Sequence, residues 1–192
     1  SNNVDIVSND RAFAALRTDG TIHAWGGFSY GYSSLMSGYD GAKIFSTSSA
    51  FAALKSDGSI HAWGDNKYGG STSSGGSGSN AYTGVPTDSG YVNIFSNGSA
   101  FAALKADGSI TAWGRSNSGG SGAPTDRGYV NIFSKISAFA ALKSDGSIYA
   151  WGGSGGSAPD SVTAANSSVV NIFSTNYAFA ALKSDGSVTV WG

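Results

Sequence analysis

The chain has 192 residues, 11 Lys and Arg against 12 Asp, a net charge of −1 and no Cys. A near-zero charge gives no general attraction to nucleic acid or anionic lipid, and the lack of Cys excludes disulfides and thiolate metal sites. No run of about 18 apolar residues occurs, so we expect no membrane insertion. The small, polar composition is more typical of a secreted or cell-surface protein than of a cytosolic enzyme, and the compartment otherwise stays open.

The first predicted element is a short β-strand at residues 4–7, here called strand A. Two further apolar runs follow, AFAALR and TIHAWG, and an Asp-Gly pair lies between them. Asp-Gly between two such runs predicts a β-hairpin with a tight primed turn, because glycine accepts positive φ. We call these runs strands B and C. Ala, Leu and Lys favour helix, but six residues are too few for a stable one.

The same unit recurs along the whole chain. Its B–C hairpin occupies residues 12–26, 50–64, 100–114, 138–152 and 178–192. The tryptophans that end strand C are 38, 50, 38 and 40 residues apart, and the longest interval contains a Gly/Ser-rich insertion at residues 71–84. GAPTD at residues 122–126 predicts an outer fourth strand, which its proline restricts to an edge. We therefore predict one domain of five repeats, at about 4–41, 42–91, 92–129, 130–168 and 169–192, the last without its outer strand.

Both faces of these strands are apolar, because Ala and Leu lie on one face and Phe, Ala and Trp lie on the other. A unit of about 38 residues cannot build its own core, and stacking units face to face covers both sides of each sheet. This pattern predicts an all-β protein, a β-propeller of five short repeats with antiparallel blades of three to four strands. A β-solenoid is the alternative, although its coils do not usually require a hairpin in every repeat.

The repeat V-x-I-x-S-x-x-x-A-F-A-A-L-x-x-D-G-S-I-x-A-W-G resembles that of the regulator of chromosome condensation family. The short units are most similar to the compact bacterial members, such as propeller-type β-lactamase inhibitory proteins. The resemblance covers all five repeats and implies a β-propeller. The Gly-x-x-His that family members carry before strand B is replaced here, and motifs of the nucleotide-exchange and ultraviolet-photoreceptor members are missing. The resemblance therefore implies the fold and no individual member's function.

Five repeats leave the closure of the ring open, because members of that family usually have seven. We expect a closed monomeric ring of five blades. The alternative is an excerpt of a longer array that assembles between chains. Because the repeats are nearly identical, they could also exchange between copies to give a repeat-swapped homo-oligomer.

Two sets of loops vary between repeats and are predicted to share one side of the ring. These are the A–B loops, at residues 9–11, 47–49, 97–99, 135–137 and 175–177, and the C–D loops after each Trp-Gly. Variable loops on a rigid scaffold often bind partners, and Tyr and Arg are frequent hot spots. Repeats one, two and five carry the strongest set, which is Arg11, Phe28, Tyr30, Tyr32, Lys67, Tyr68 and Tyr177.

The predicted function is therefore a non-catalytic scaffold that binds a protein partner through these loops. A lectin-like or surface-adhesive array that binds carbohydrate is one alternative, and a designed or reconstructed propeller without a ligand is another. We predict no catalytic residues, no metal site and no cofactor. His23 and His61 occupy a position that is Thr or Tyr in other repeats, and each Asp of the B–C turns is isolated, which fits turn chemistry.

Overall fold

The computed structural model describes residues 3–31, 33–154, 157–164 and 167–192. In these residues antiparallel strands form five sheets, called blades 1 to 5: β1–β4, β5–β7, β8–β11, β12–β14 and β15–β17. The strands are β1 (Asn3–Ser8), β2 (Ala12–Arg17), β3 (Ile22–Gly26), β4 (Ser33–Met36), β5 (Lys43–Ser46), β6 (Ala50–Leu54), β7 (Ile60–Gly64), β8 (Tyr82–Thr83), β9 (Tyr91–Ser96), β10 (Ala100–Lys105), β11 (Ile110–Arg115), β12 (Tyr129–Lys135), β13 (Ala138–Lys143), β14 (Ile148–Gly152), β15 (Val169–Ser174), β16 (Phe179–Lys183) and β17 (Val188–Trp191).

The helices in the described residues are short. They are the 3₁₀ segments Phe28–Tyr30, Asn66–Tyr68, Gly78–Asn80 and Ser116–Ser118, and α1 (Asp160–Thr163). None of them is both long and apolar enough to cross a membrane. Strands A, B and C are present in every repeat, so the prediction of an all-β protein built from antiparallel blades is confirmed.

The B–C hairpins close differently from the predicted primed turn. In blade 1, Gly20 N–H donates to Arg17 O at 3.1 Å and Arg17 N–H donates to Thr21 O at 2.9 Å. Gly20 has a φ of +70°, whereas Asp19 is not among the described non-glycine residues with positive φ. This pattern fits a type I turn followed by a glycine bulge, in which only the glycine needs the left-handed conformation. The other four hairpins have the same carbonyl-to-glycine bond.

The outer strands also differ from the prediction. GAPTD forms no strand, because Pro124 has no N–H to donate and the outer edge of β11 is already taken. That edge pairs with β8, which comes from the insertion before blade 3, through Thr83–Gly114 and Tyr82–Arg115. The Thr83 hydroxyl also donates to Gly120 O at 2.5 Å. The insertion therefore completes the blade that follows it.

Each pair of neighbouring blades encloses its own hydrophobic core. One blade supplies small and aliphatic side chains, and the next blade supplies a stacked Phe–Trp pair. Between blades 1 and 2 these residues are Ala12, Ala14, Leu16, Ile22 and Ala24 from one side and Tyr39, Ala42, Ile44, Phe51, Ala53 and Trp63 from the other. The three following interfaces repeat this arrangement. This alternation explains why strand B is apolar at every position.

The two end faces of the stack are uncovered. Phe13 of blade 1 is 46% exposed, whereas Phe51, Phe101, Phe139 and Phe179 at the same position are all 0% exposed. On the last blade, Phe173 and Val190 are 56% and 65% exposed. The expected closed ring of five blades is therefore wrong for this structure, because closure would bury these side chains against each other.

Candidate binding face

The A–B loops form a row on one side of the molecule, in which described hydrogen bonds join the loops of blades 1 to 3 to one another and the loop of blade 4 to that of blade 5. Asp10 N–H donates to Ser48 O at 3.3 Å, and Ser48 N–H donates to Gly98 O at 3.1 Å. Ile136 N–H donates to Asn176 O at 3.4 Å. These bonds hold loops from neighbouring blades in fixed relative positions. We call the A–B loops together with the adjoining C–D loops the A–B face.

Two shallow polar depressions lie along this row. One, of about 440 Å³, is bordered by the A–B loops of blades 1, 2 and 3, and the other, of about 360 Å³, by those of blades 3, 4 and 5. Serine hydroxyls at their edges are already bonded: Ser46 Oγ donates to Ser8 O at 2.9 Å and Ser134 Oγ to Ser96 O at 2.8 Å. These serines therefore join neighbouring blades.

The C–D loops are fastened to the A–B loops of the same blade. In blades 1 to 3 a side chain of the A–B loop donates to the carbonyl of the last residue of the short 3₁₀ helix. These bonds join Asn9 Nδ2 to Tyr30 O at 2.6 Å, Thr47 Oγ1 to Tyr68 O at 3.0 Å and Asn97 Nδ2 to Ser118 O at 2.7 Å. The variable loops thus share one side of the blade.

The glycine after each of these helices connects one blade to the next. Its carbonyl accepts a hydrogen bond from the indole N–H of the following blade. The pairs are Trp63 Nε1 to Gly31 O at 3.1 Å, Trp113 Nε1 to Gly69 O at 3.1 Å and Trp151 Nε1 to Gly119 O at 3.0 Å. In the sequence this glycine falls six residues after the tryptophan of repeats one to three. That spacing was the available signal for these inter-blade contacts, and sequence reasoning missed it.

Two of the predicted site residues meet in blade 1. Arg11 Nη1 donates to the Tyr30 hydroxyl, and the Arg11 guanidinium lies 4.4 Å from the centre of the Tyr30 ring. Arg11 is exposed, whereas Tyr30 is partly buried against the core between blades 1 and 2. Phe28 begins the short helix, although its side chain lies outside the described part of the structure, and Tyr32 lies outside the described residues altogether.

Lys67 and Tyr68 are neighbours on the short helix of blade 2. Asp65 immediately precedes this helix, and its Oδ1 accepts from Lys67 N–H at 2.9 Å. The Lys67 side chain is exposed, whereas Tyr68 is partly buried against the core between blades 2 and 3. Tyr68 therefore braces its loop, and Lys67 is the member of this pair that is open to solvent.

Tyr177 lies in blade 5 and is 73% exposed. Its backbone carbonyl accepts from Lys135 Nζ at 2.9 Å, and the Lys135 ammonium lies 6.0 Å from the Phe179 ring. Lys135 itself is buried. The structure joins Tyr177 to blade 4, and no hydrogen bond or ring contact between described residues joins it to Arg11 or Tyr30.

Ile136 is an exposed apolar residue that sequence reasoning missed. It sits in the A–B loop of blade 4 and is half exposed. The loop is tied to that of blade 5 at both Lys135 and Ile136, through the bonds to Tyr177 O and Asn176 O. Ile136 is the only apolar aliphatic residue in the five A–B triplets, which was the sequence signal for it.

The B–C turns lie on the opposite side of the molecule, where their aspartates hydrogen-bond within the turns. In each B–C turn an aspartate Oδ1 accepts from the hydroxyl and the N–H of the Thr or Ser two residues later. The hydroxyl bond is the main cause that lowers the pKa of these carboxyls, which belong to Asp19, Asp57, Asp107, Asp145 and Asp185. The aspartates thus serve the turns, as the sequence suggested.

A Tyr–Asp–Lys cluster follows on this side in blades 3 and 4. Tyr91 OH donates to Asp88 Oδ1 at 2.7 Å, and Lys105 Nζ pairs with Asp88 Oδ2 at 2.5 Å. The Lys105 ammonium lies 4.8 Å from the Tyr91 ring. Tyr129, Asp126 and Lys143 repeat this set in blade 4. The clusters fasten the start of strand A to the end of strand B in the same blade.

These clusters predict a loss of stability in alkali. Burial, with the Asp88 carboxylate adding to it, raises the pKa of Tyr91 to about 12. The pKa of Tyr91 in the folded protein exceeds its value near 10 in the unfolded chain. The stability that neutral Tyr91 contributes to the fold is therefore complete below pH ~10 and is lost as the pH rises through ~12. We expect Tyr91 to account for about 1 kcal/mol of the loss at pH 11. Urea unfolding at pH 8 and pH 11 checks this, since Tyr91→Phe should show the smaller fall. An equal fall in both proteins contradicts it.

The two histidines lie in different blades and have different surroundings. Tyr39 OH and His61 Nδ1 are 2.6 Å apart, and burial, followed by the charge of Lys55, lowers the pKa of His61. His23, in blade 1, is exposed and its ring centre lies 5.6 Å from that of Trp25. No group of three or more His, Cys, Asp or Glu in the described ranges could hold a metal ion.

Comparison with known proteins identifies the fold. A scan of protein-family models finds no match to the chain, and neither does a search of curated proteins. Similar solved structures include the Physcomitrella patens receptor kinase CR4 ectodomain, with a TM-score of 0.62, 16% identity and coverage of 99% of this chain and 52% of that one. Human WBSCR16 gives a TM-score of 0.61, 15% identity and coverage of 98% and 62%.

Saccharomyces cerevisiae Prp20p, also named yeast RCC1, gives a TM-score of 0.59 at 14% identity, and the match covers 99% of this chain and 58% of the Prp20p chain. The chain thus spans between about half and two thirds of the length of these three structures. At such identities the likeness shows the fold, and this chain has the β-propeller fold of the regulator of chromosome condensation proteins.

Proposed function

We propose that this protein is a non-catalytic scaffold that binds a protein partner through the A–B face. Yeast Prp20p binds Gsp1p and histones, and it also forms a complex with Kap60. A propeller with protein partners is therefore among the structures that share this fold. The proposal for the present chain rests on its own loops.

The observation that carries the proposal is the exposure of Ile136 and Tyr177 on loops that are hydrogen-bonded to each other. Both side chains project from A–B loops that are hydrogen-bonded to each other across the junction of blades 4 and 5. An aliphatic and an aromatic side chain held in place can be buried by a partner with little loss of conformational entropy. These two residues are the proposed anchor.

Arg11 and Lys67 supply positive charge on the same face. Both are exposed, and each lies beside a tyrosine that is partly buried, Tyr30 or Tyr68. In this proposal the two tyrosines support the loops, while the two cations contact acidic groups of the partner at the rim. Phe28 and Tyr32 belong to the same C–D loop of blade 1 and remain part of the proposed site.

Several charged groups on the opposite side already have partners within the chain. Its aspartates accept hydrogen bonds within the B–C turns, and Lys105 and Lys143 are paired with Asp88 and Asp126. A partner that docked there would have to displace these contacts. This difference between the two sides favours the A–B face.

A loop-face variant and a matched control test the proposal. Ile136→Ser with Tyr177→Ser changes the anchor, and Val130→Ser with Val170→Ser changes two half-exposed valines in the same two blades at the other end of strand A. We expect proteins captured from the expressing cells by the unmodified chain to bind the loop variant at least ~10-fold more weakly. The valine variant should bind normally, and both should melt like the unmodified chain.

Three results contradict the proposal. If the loop variant captures the same proteins equally well, Ile136 and Tyr177 are not the anchor. If only the valine variant loses capture, the binding site lies on the opposite side of the molecule. Loss of capture after glycans are stripped from the bound proteins would support the lectin-like alternative instead.

A further inference from the structure

The end face of blade 1 is one half of an interface that the chain already forms four times. In blade 2 the equivalent residues Ile44, Phe51 and Trp63 pack against the strands of the preceding blade. In blade 1 the matching residues Ile6, Phe13 and Trp25 are exposed, and the Phe13 and Trp25 rings are stacked with centres 5.6 Å apart. The Phe–Trp pair is thus already arranged as in the buried interfaces.

The end face of blade 5 is the other half of the same interface. In blade 4 the residues Phe133, Ile148 and Ala150 pack against blade 5. Phe173, Val188 and Val190 occupy the same positions in blade 5, where they are exposed. Alanines and Leu182 of strand B lie between them and are partly buried. Contiguous exposed apolar patches of this kind mark interaction surfaces.

We propose that a second copy of this chain covers these faces head to tail, with blade 5 of one copy on blade 1 of the next. The chain itself shows four times how a Phe–Trp face is covered. Each Phe–Trp pair of blades 2 to 5 packs against the small and aliphatic side chains of the preceding blade, and blade 5 presents side chains of the same kind on its exposed face. The intermolecular contact continues that internal stacking, and this inference is independent of the partner site on the A–B face.

The interface between blades 4 and 5 has no equivalent, among the described residues, of the indole hydrogen bond of the first three interfaces. Trp191 is buried between blades 4 and 5, yet its Nε1 has no hydrogen-bond partner among the described residues. The interface between blades 4 and 5 therefore shows that apolar contact forms without a described carbonyl partner. Trp25 would be covered in the same way.

Because the two faces are different, the association is heterologous. Each copy that binds through blade 1 leaves its blade 5 free for the next copy, so that growth continues unless the arrangement closes. The average mass should therefore rise with concentration beyond two chains. An association through two identical faces would stop at the dimer.

The test uses one charge on each face. Phe13→Asp blocks the face of blade 1 and Val190→Asp blocks that of blade 5, whereas Val92→Asp places the same charge on an exposed valine away from both faces. Sedimentation equilibrium should show mass rising with concentration for the unmodified chain and for Val92→Asp. Each end-face variant alone should stay at the mass of one chain. We expect its affinity for a second copy to fall at least ~100-fold, since a buried charge without a partner is strongly unfavourable.

Mixing the two end-face variants is the decisive measurement. Each retains one intact face, so the mixture should form a complex of one copy of each and stop at twice the mass of one chain. A second pair, Ile6→Asp with Val188→Asp, repeats the test if either first variant fails to fold. A monomeric unmodified chain at all concentrations overturns the proposal, and so does a mixture whose mass is the average of its components.

Discussion

Trp113→Ala is expected to lower the free energy of unfolding by about 3–5 kcal/mol, the usual loss for a large aromatic side chain in a packed core. Trp113 is 0% exposed, stacks on Phe101 with ring centres 5.0 Å apart, and donates to Gly69 O. The substitution removes these contacts and leaves a cavity between blades 2 and 3. Urea unfolding followed by circular dichroism measures the effect.

Trp25→Ala is the matched control for this substitution. Trp25 has the same position in its repeat and also stacks on its phenylalanine, but it is 37% exposed because none of the described blades covers that face of blade 1. At concentrations where the chain is monomeric we expect a loss below about 1.5 kcal/mol, since much of the ring already contacts water. Equal losses in the two variants would show that the tryptophan acts within its own blade and not between blades.

Gly69→Ala is expected to lower stability by about 3 kcal/mol, through backbone strain and overpacking together. Gly69 has a φ of +96°, and an added Cβ would lie 2.7 Å from Phe101 Cδ2 and 3.2 Å from Trp113 Cδ1. Both rings are fully buried, so neither can move aside without disturbing the interface. The melting temperature and the urea midpoint should both fall.

Gly122→Ala separates the two causes. Gly122 has a φ of +84°, but a Cβ there would meet no atom within 4 Å. Only the backbone strain remains, and we expect a loss of about 1 kcal/mol. If Gly69→Ala is no more damaging than Gly122→Ala, the close approach of the C–D loop to the next blade does not stabilise the interface.

The local elements could be predicted because their signals lie within a few residues. AFAAL and the following Asp-Gly are close enough in the chain to specify a strand and a hairpin, and both are present in every blade. The turn type was wrong because the sequence shows that glycine accepts positive φ but does not show which turn residue uses it. Only Gly20, and not Asp19, adopts that conformation in blade 1.

The candidate site was less accessible to sequence reasoning. Tyrosine in a variable loop reads as a binding residue, yet Tyr30 and Tyr68 pack against cores that belong partly to the next blade. Lys135, the first residue of the A–B loop predicted at 135–137, is buried and bonded to Tyr177 O. Ile136, with a smaller sequence signal, is exposed. Whether such a side chain is free depends on the neighbouring blade.

The sequence by itself determined the repeat, the three strands of each blade and the need to cover both faces, because a period of two and a repeated Asp-Gly turn are local properties. Only the tertiary structure decided that the insertion completes blade 3, that a glycine carbonyl fastens each of the first three blades to the next, and that the two end faces stay open. The strand pairing and the glycine hydrogen bonds join residues 31 to 44 positions apart. Their outcome depends on how far each blade is rotated against its neighbour, and no short stretch of sequence encodes that angle.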